Sequence, residues 1–244
     1  MSTTSLEGKT VMITGANRGL GRALVDEALQ RGAKRVYAAS RQLIAHPDDR
    51  VTPVILDVTD WAQIKHGVEN VESLDILINN AGLSLPDDLG SRTAFEQHFE
   101  VNVYGPLMVT QALLPSLTQS RGRIVNIVSI GAFAAVPILP AYSASKAAAF
   151  SVTQSLRGLL AERGVKVHAV LPGPIDTDMI RDLPIPKSSP ESVARAIFDG
   201  VENGDEEIFP DPFSQTQADS WREGAAKELE RQNAALIPAE PIAA

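Results

Sequence analysis

Short apolar segments recur along the chain and alternate with longer segments whose apolar residues repeat with helical spacing. The short segments are nearly continuous apolar runs, which is typical of strands covered on both faces. They predict strands at residues 10–14, 35–40, 51–56, 74–79, 123–128, 165–171 and 206–209. Helical spacing predicts helices at residues 18–31, 94–101, 106–118, 141–163 and 190–202. This alternation predicts an α/β fold, a Rossmann-like doubly wound parallel sheet with helices on both faces.

The sequence contains no internal repeat and no low-complexity linker, which predicts one domain over residues 1–244. Residues 41–50 are too few for a full crossover helix, so we expect a loop or a single turn. Residues 175–189 contain two prolines and predict a mobile substrate loop, which ends where Ser189 caps the next helix. Beyond a core at residues 6–210, residues 211–236 form an extension, in which Ser220 and Glu223 fit a capping box for a helix.

The composition argues against several classes of partner and chemistry. The chain has 244 residues, a net charge of -8 and no cysteine, which disfavours nucleic acid or an anionic membrane as partner and excludes thiol chemistry. The four histidines are scattered, so we expect no metal site and place each histidine at the surface or partly buried. We also expect no signal peptide, no membrane span and a cytoplasmic location.

A glycine-rich turn follows the first predicted strand and opens the first helix. Its sequence runs from Thr14 to Gly21 and contains Gly15, Asn17, Arg18, Gly19, Leu20 and Gly21. Glycines at these positions permit a tight turn, close approach of the backbone to a pyrophosphate, and close packing of helix on strand. The helix N-terminus adds free N–H groups and a positive dipole end. The turn predicts a dinucleotide-binding site, and the alternative is a glycine-rich turn without a ligand.

A tyrosine and a lysine lie four residues apart in a predicted helix. Tyr142 and Lys146 share one helix face, and an ammonium beside a phenol favours the phenolate and lowers a pKa that is ordinarily about 10. Ser129, at the end of a predicted strand, supplies a second hydroxyl that could hold a carbonyl oxygen. Taken alone, this spacing is also that of an ordinary exposed helix face.

Together and in this order, these motifs resemble the short-chain dehydrogenase/reductase (SDR) family over roughly residues 6–210. Further matches are Asp57 and Val58 after the third strand, the run Asn79, Asn80, Ala81 and Gly82 after the fourth, Asn102, and Pro172, Gly173, Ile175 and Thr177 after the sixth. The C-terminal extension departs from the family pattern, in which a Gly-rich strand stands close to the end.

The resemblance implies roles for these residues. Tyr142 is expected to be the general acid in ketone reduction or the base in alcohol oxidation, and Lys146 to lower its pKa and bind the nicotinamide ribose. Ser129 is expected to orient and polarise the carbonyl, and Asn102 to hold a water that links Lys146 to solvent. The alternatives are a helix cap for Ser129 and an ordinary polar helix residue for Asn102. By the same resemblance, Asp57 and Val58 are expected to contact adenine.

Two arginines bear on the choice of dinucleotide. NAD sites of this kind usually place an acid after the second strand to hold the ribose 2′-OH. Here that strand ends in Ser40 and Arg41, and Arg18 lies in the glycine turn. Arginines suit the 2′-phosphate of NADP, and Ser40 could add a hydrogen bond, so we expect NADP(H). Two solvated arginines are the alternative.

The residues that follow catalytic positions, or lie in the mobile loop, are nearly all uncharged and predict a cleft for an apolar ketone or aldehyde. The principal wall residues are Leu83, Phe133, Val136, Pro174 and Met179. The predicted activity is an NADP-dependent carbonyl reductase or alcohol dehydrogenase. An NAD-dependent alcohol dehydrogenase and a non-catalytic dinucleotide-binding regulator are the alternatives. As in the resembled family, we expect a homodimer or homotetramer, through helices 106–118 and 141–163.

Overall fold

The computed structural model of the protein describes residues 5–234, and residues 1–4 and 235–244 lie outside it. Seven strands form one parallel sheet in the order β3-β2-β1-β4-β5-β6-β7. The strands are β1 (Thr10–Thr14), β2 (Arg35–Ser40), β3 (Val51–Ile55), β4 (Ile76–Asn79), β5 (Arg123–Ile127), β6 (Lys166–Val170) and β7 (Glu207–Ile208). The order reverses between β1 and β4, where such sheets open a crevice at their carboxyl edge. The predicted fold class is confirmed.

Helices cover both faces of this sheet. They are α1 (Gly19–Gln30), α2 (Trp61–Val68), α3 (Arg92–Phe99), α4 (Gly105–Ser120), α5 (Pro140–Leu160), α6 (Pro190–Asn203), α7 (Pro212–Gln215), α8 (Ala218–Arg222) and α9 (Ala225–Ala234). On β1, Val11 and Ile13 pack against the core that includes α1 and α6, whereas Met12 packs against the core that includes α2 and α4. Alternate residues of one strand are thus buried in opposite cores, which explains its continuous apolar sequence.

Three connections test the sequence-based boundaries. Residues 41–50, all within the described range, contain no helix, as the short connection predicts. Ser189 caps α6 by accepting the N–H of Ser192 at 3.1 Å, so the predicted cap is confirmed. α2 was not predicted. It begins after Asp60, whose carboxylate accepts the N–H groups of Ala62 and Gln63.

The predicted capping box at Ser220 is wrong. Ser220 lies within α8, and Glu223 is the residue after the end of that helix. Gly224 separates α8 from α9, and a Cβ at Gly224 would lie 2.6 Å from the Ser220 carbonyl oxygen. The extension therefore contains two short helices at this point instead of one. Residues 235 and 236 of the predicted extension lie outside the described residues.

Buried ion pairs attach the C-terminal extension to the sheet. The Lys227 ammonium, whose side chain is 3% exposed, lies 3.0 Å from Glu207 and Glu230 and 2.7 Å from Glu206. Arg157 of α5 pairs with Glu207 at 2.8 Å and with Glu230. α9 is thus held to β7 and α5 by ion pairs in which all the charged side chains except that of Glu206 are largely buried.

Across residues 5–234, no helix combines the length and apolarity needed to cross a bilayer. In the same range, no three His, Asp or Glu side chains gather as a metal site would require.

Candidate active site

The glycine turn forms a narrow cradle between β1 and α1. A Cβ on Gly21 would lie 2.0 Å from the carbonyl oxygen of Gly15, so no side chain fits at position 21. Gly19 begins α1 with a φ of +50°, and the Arg18 side chain makes no capping hydrogen bond. The first N–H groups of α1 therefore remain available to an anion, as the sequence predicts for a pyrophosphate.

The end of β4 lies against this turn. Thr14 Oγ1 accepts the N–H groups of Asn80 and Ala81 at 3.0 and 3.1 Å, and Asn80 Nδ2 donates to the Thr14 carbonyl at 2.9 Å. The side chain of Asn79, which we expected at the dinucleotide, is instead directed into the interior. Its Nδ2 donates to Asn126 Oδ1 at 2.8 Å, so it braces β4 against β5.

Ser129, Tyr142 and Lys146 come together at the carboxyl edge of the sheet. Ser129 lies just beyond β5, and Tyr142 and Lys146 lie in the first two turns of α5. Ser129 Oγ accepts the N–H of Gly131 at 3.0 Å, so it caps the following turn as well as facing the Tyr142 phenol. A hydroxyl has one donor hydrogen and two acceptor lone pairs, so Ser129 can still donate to a substrate oxygen.

The environment of Tyr142 differs from the sequence-based expectation. Burial, the larger influence, raises the pKa of Tyr142 above its ordinary value of 10.0, and the hydrogen bond with Ser129 opposes this rise. The Lys146 ammonium lies 5.7 Å from the Tyr142 ring centroid and donates to the Ile127 carbonyl at 2.8 Å. Burial lowers the pKa of Lys146 to about 8. Desolvation is therefore the main influence on both groups, and the phenol holds its proton at neutral pH.

Asn102 clamps the loop that follows β4. It lies in a π-helical turn, Glu100–Tyr104, between α3 and α4. Its Oδ1 accepts the N–H of Leu83 at 2.8 Å. Its Nδ2 donates to the Leu83 carbonyl and to Ser145 Oγ, both at 2.9 Å. A Cβ on Gly82 would lie 3.5 Å from Asn102 Oδ1 and 3.9 Å from Lys146 Nζ. The expected water relay through Asn102 stays a prediction, whereas its clamping contacts are direct.

His98 is a site residue that the sequence analysis missed. It is fully buried, as is His168, so the expectation that every histidine is at or near the surface is wrong. The His98 ring meets the Tyr142 ring edge-on at 6.5 Å between centroids. Its Nδ1 donates to the Ala94 carbonyl at 2.6 Å, and its Nε2 accepts the N–H of Leu85 at 3.0 Å. Only the fold brings His98 to α5, so no local pattern indicates its place.

A family model described as short chain dehydrogenase matches residues 9–187. The chain belongs to the short-chain dehydrogenase family. It is therefore an oxidoreductase of that family, as its motifs and sheet order also indicate.

Known short-chain dehydrogenases and other oxidoreductases resemble the chain over most of its length. A crystal structure of a short chain dehydrogenase from Burkholderia cenocepacia, in complex with NADP, is 35% identical, covers 96% of this chain and 100% of its own, and has a TM-score of 0.86. A 3-ketoacyl-(acyl-carrier-protein) reductase from Brucella melitensis, complexed with NADH, is 27% identical over 86% of this chain and 93% of its own, with a TM-score of 0.75. An uncharacterised oxidoreductase from Staphylococcus saprophyticus is 35% identical over 193 residues, which are 72% of this chain and 82% of the relative.

In this short-chain dehydrogenase, the side chains expected at the adenosine end of the dinucleotide differ in exposure and in their polar contacts. Arg41 is exposed just beyond β2, whereas Ser40 is buried and its hydroxyl donates to the Gln42 carbonyl at 2.6 Å. Arg18 lies 3.0 Å from Asp178 of the 175–189 loop. The Asp57 carboxylate accepts the N–H of Thr59 at 2.9 Å. Of the two arginines, Arg18 is thus paired with a carboxylate, whereas Arg41 is exposed and forms no ion pair with any described residue.

The 175–189 loop closes over the glycine turn. Ser188 donates its N–H to the Pro174 carbonyl at 3.0 Å, and Ile175 and Ser188 form an isolated bridge that joins the two ends of the loop. The Thr177 methyl group would lie 3.1 Å from a Cβ on Gly19. This contact places Thr177 beside the cradle, where the sequence predicts a dinucleotide contact.

The predicted cleft walls differ in how they are packed. The Val136 N–H donates to Ser143 Oγ at 3.0 Å, and Val136 is 38% exposed. Met179 is 49% exposed on the loop. The Phe133 ring stacks on Trp221 at 4.6 Å between centroids, so one of its faces is occupied by the extension. Trp221 anchors the extension there, and the place of Phe133 in the cleft stays a prediction.

Proposed function

We propose that the protein is an NADP(H)-dependent oxidoreductase that transfers hydride between nicotinamide and a carbonyl or secondary alcohol, and that it chiefly reduces apolar ketones or aldehydes. The observation that carries this proposal is the meeting of Ser129, Tyr142 and Lys146 at the carboxyl edge of the sheet, beside the glycine cradle. Two hydroxyls and an ammonium at that edge match the requirements of carbonyl reduction.

The residues present fit a dinucleotide. The cradle excludes side chains at Gly21, and α1 offers uncapped N–H groups at Gly19, which suits a pyrophosphate. A bound nicotinamide would supply the hydride. NADP(H) is favoured by Arg41, which stands where NAD-binding sites usually carry an acid, and by the NADP in the Burkholderia relative.

The side chains handle the substrate oxygen and its proton. Ser129 can donate its hydroxyl hydrogen to a carbonyl oxygen and orient it. Tyr142 is protonated at neutral pH because burial raises its pKa, so it can give a proton to the same oxygen as negative charge develops there. Lys146, with a pKa lowered to about 8, lies beside the phenol and carries exchangeable protons. A phenol that retains its proton is in the form that carbonyl reduction requires.

An apolar carbonyl substrate is supported by the side chains around the cleft. Val136 and Met179 present exposed apolar surface, and Leu83 is held by Asn102. The Brucella relative is named for reducing a 3-ketoacyl group, which is also a carbonyl. The homo-oligomeric assembly and the cytoplasmic location stay predictions.

Replacement of Tyr142 by phenylalanine tests the proposal. With NADPH and a panel of ketones, Tyr142→Phe should lose about 100-fold or more in kcat, since it removes a general acid, while NADPH still binds. Tyr104→Phe is the matched control, because Tyr104 is 49% exposed at the end of the π-helical turn. Loss of NADPH absorbance measures turnover, and NADPH fluorescence measures binding.

Full activity in Tyr142→Phe would show that the phenol is not the acid. If wild type binds NADPH tightly but reduces no carbonyl compound in the panel, the non-catalytic regulator is favoured. If NADH supports turnover better than NADPH, the NAD-dependent alternative is favoured.

A further inference from the structure

The segment after β7 is bonded to the strand ends that form the active site. Oδ2 of Asp211, a residue that is 2% exposed, accepts the N–H of Gly173 at 2.8 Å. The neighbouring Pro172 carbonyl accepts the N–H of Ile130 at 3.1 Å. The start of the C-terminal extension is therefore connected, through residues 172–173, to the residue that follows Ser129.

These bonds place the ring of Phe213 over Gly173. A Cβ on Gly173 would lie 2.9 Å from Phe213 Cδ1 and 3.2 Å from Phe213 Cβ. Asp211 Oδ1 also accepts the N–H of Ser214 at 2.9 Å, which closes a capping box around Phe213. A buried carboxylate thus fixes the backbone on both sides of this aromatic residue.

Although its backbone is fixed, the Phe213 side chain is 59% exposed. A single exposed apolar side chain is common, whereas several at one edge of a fold often mark a binding site. Val136 and Met179 also expose apolar surface on loops at the same edge of the sheet. A Cβ on Gly131 would lie 3.9 Å from Val136 and 3.3 Å from Ser129 Oγ, so Val136 lies beside the reacting hydroxyl.

We infer that Phe213 forms a wall of the substrate cleft and selects for carbonyl compounds with a bulky apolar substituent. The inference deepens the proposed function and rests on it for the reaction, whereas the position of Phe213 rests on its contacts with Gly173. The C-terminal extension is then part of the active site. Sequence analysis did not include Phe213 among the walls, because residue 213 meets residue 173 only through the order of β6 and β7.

An aromatic wall affects large and small substrates differently. A phenyl or long alkyl substituent can pack against the Phe213 ring, whereas a methyl group leaves most of the ring uncovered. The contact should also be retained in the transition state, because it lies away from the atoms that react. Truncation should therefore lower kcat/KM for bulky ketones and leave that for the smallest ketone nearly unchanged.

Steady-state kinetics test this selectivity in the full-length protein with NADPH. For 2-octanone and acetophenone, Phe213→Ala should lower kcat/KM by about tenfold, against less than about twofold for acetone. Phe213→Leu should recover part of the loss. Leu229→Ala is the control, since Leu229 is a 56% exposed apolar residue on α9 of the same extension. The KM for NADPH and the thermal midpoint should stay at their wild-type values in each variant.

A binding measurement separates this inference from the reaction itself. With 4-fluorophenylalanine in place of Phe213, the fluorine resonance should shift saturably when acetophenone is titrated into the protein with NADP⁺. A saturable shift without turnover by wild type would overturn the proposed reaction and support the cleft wall. Turnover by wild type with no shift, or with equal losses for every ketone in Phe213→Ala, would overturn the cleft wall alone. Neither turnover nor shift would overturn both.

Discussion

At the scale of single residues, charge at the end of β2 should decide which dinucleotide binds. Arg41 is exposed immediately after Ser40, in the position where an acid would hold a ribose 2′-OH. A guanidinium there can instead pair with a 2′-phosphate. The Ser40 hydroxyl already donates to the Gln42 carbonyl, so the arginine carries most of the expected discrimination.

Reversal of this charge gives a direct prediction. Arg41→Glu should raise the KM for NADPH by about 10-fold or more and leave the KM for NADH unchanged or lower, because a carboxylate repels the phosphate but can accept from a 2′-OH. Both constants are measured with one ketone at saturation. Lys34→Glu is the control, since Lys34 is exposed just before β2, at the opposite end of the strand. Unchanged discrimination in Arg41→Glu would show that Arg41 does not face the phosphate.

Single residues also mark the limit of prediction from sequence. The roles of Gly15, Gly19 and Gly21 could be predicted because all three follow the first strand, at the spacing of a tight phosphate-binding turn. The structure leaves no room for a side chain at position 21. His98 gave no such signal, because its contact with Tyr142 forms only when α3 packs on α5. The pKa of Tyr142 was predicted in the wrong direction, since burial could not be read from the spacing to Lys146.

At the scale of elements, the strands were predictable to within one or two residues and the extension was not. Buried parallel strands have continuous apolar sequences. An amphipathic helix places polar residues between its apolar ones, so it does not show such a run. The eight-residue helix α2 is too short to show periodicity, and its signal is a single capping aspartate at Asp60. In the extension, Ser220 fitted a capping box by sequence, but Gly224 ends α8 and makes α9 a separate helix.

The extension depends on one buried lysine. Lys227 and Arg157 together face three carboxylates, those of Glu206, Glu207 and Glu230. Lys227→Met leaves these carboxylates facing a single guanidinium, and removal of one partner from a buried ion pair costs about 3–5 kcal/mol of unfolding free energy. We therefore expect a lower urea midpoint and faster proteolysis within residues 211–234.

The pH dependence of this loss identifies its cause. Because protonation removes the uncompensated negative charge, the stability deficit of Lys227→Met should shrink as the pH falls into the range where carboxyl groups titrate. Lys34→Met, which removes an exposed ammonium, should change neither the midpoint nor the proteolysis. An equal deficit at every pH would indicate lost packing of the lysine stem as the cause, and no deficit would show that the cluster does not hold the extension.

At the scale of the whole molecule, a sheet covered on both faces buries polar groups that water would otherwise solvate. His168 of β6 is 1% exposed, and its Nδ1 donates to the Asp205 carbonyl at 2.6 Å. Its Nε2 is buried without a hydrogen-bond partner among the described residues. Burial, aided by the charges of Arg123, Arg157 and Lys166, lowers the pKa of His168 from 6.5 to about 4. The folded protein therefore keeps this imidazole neutral.

Acid should destabilise the fold through this one side chain. Between pH 6.5 and 4 the unfolded chain protonates His168 and the folded chain does not, so the free energy of unfolding falls with pH, by up to about 3 kcal/mol. His168→Asn can keep the donor to Asp205 without a titrating ring, so its stability should decline less steeply over this range in urea unfolding. His66→Asn, which changes an 82% exposed side chain, should follow wild type. Parallel wild-type and His168→Asn curves would mean that His168 takes up a proton in the folded state.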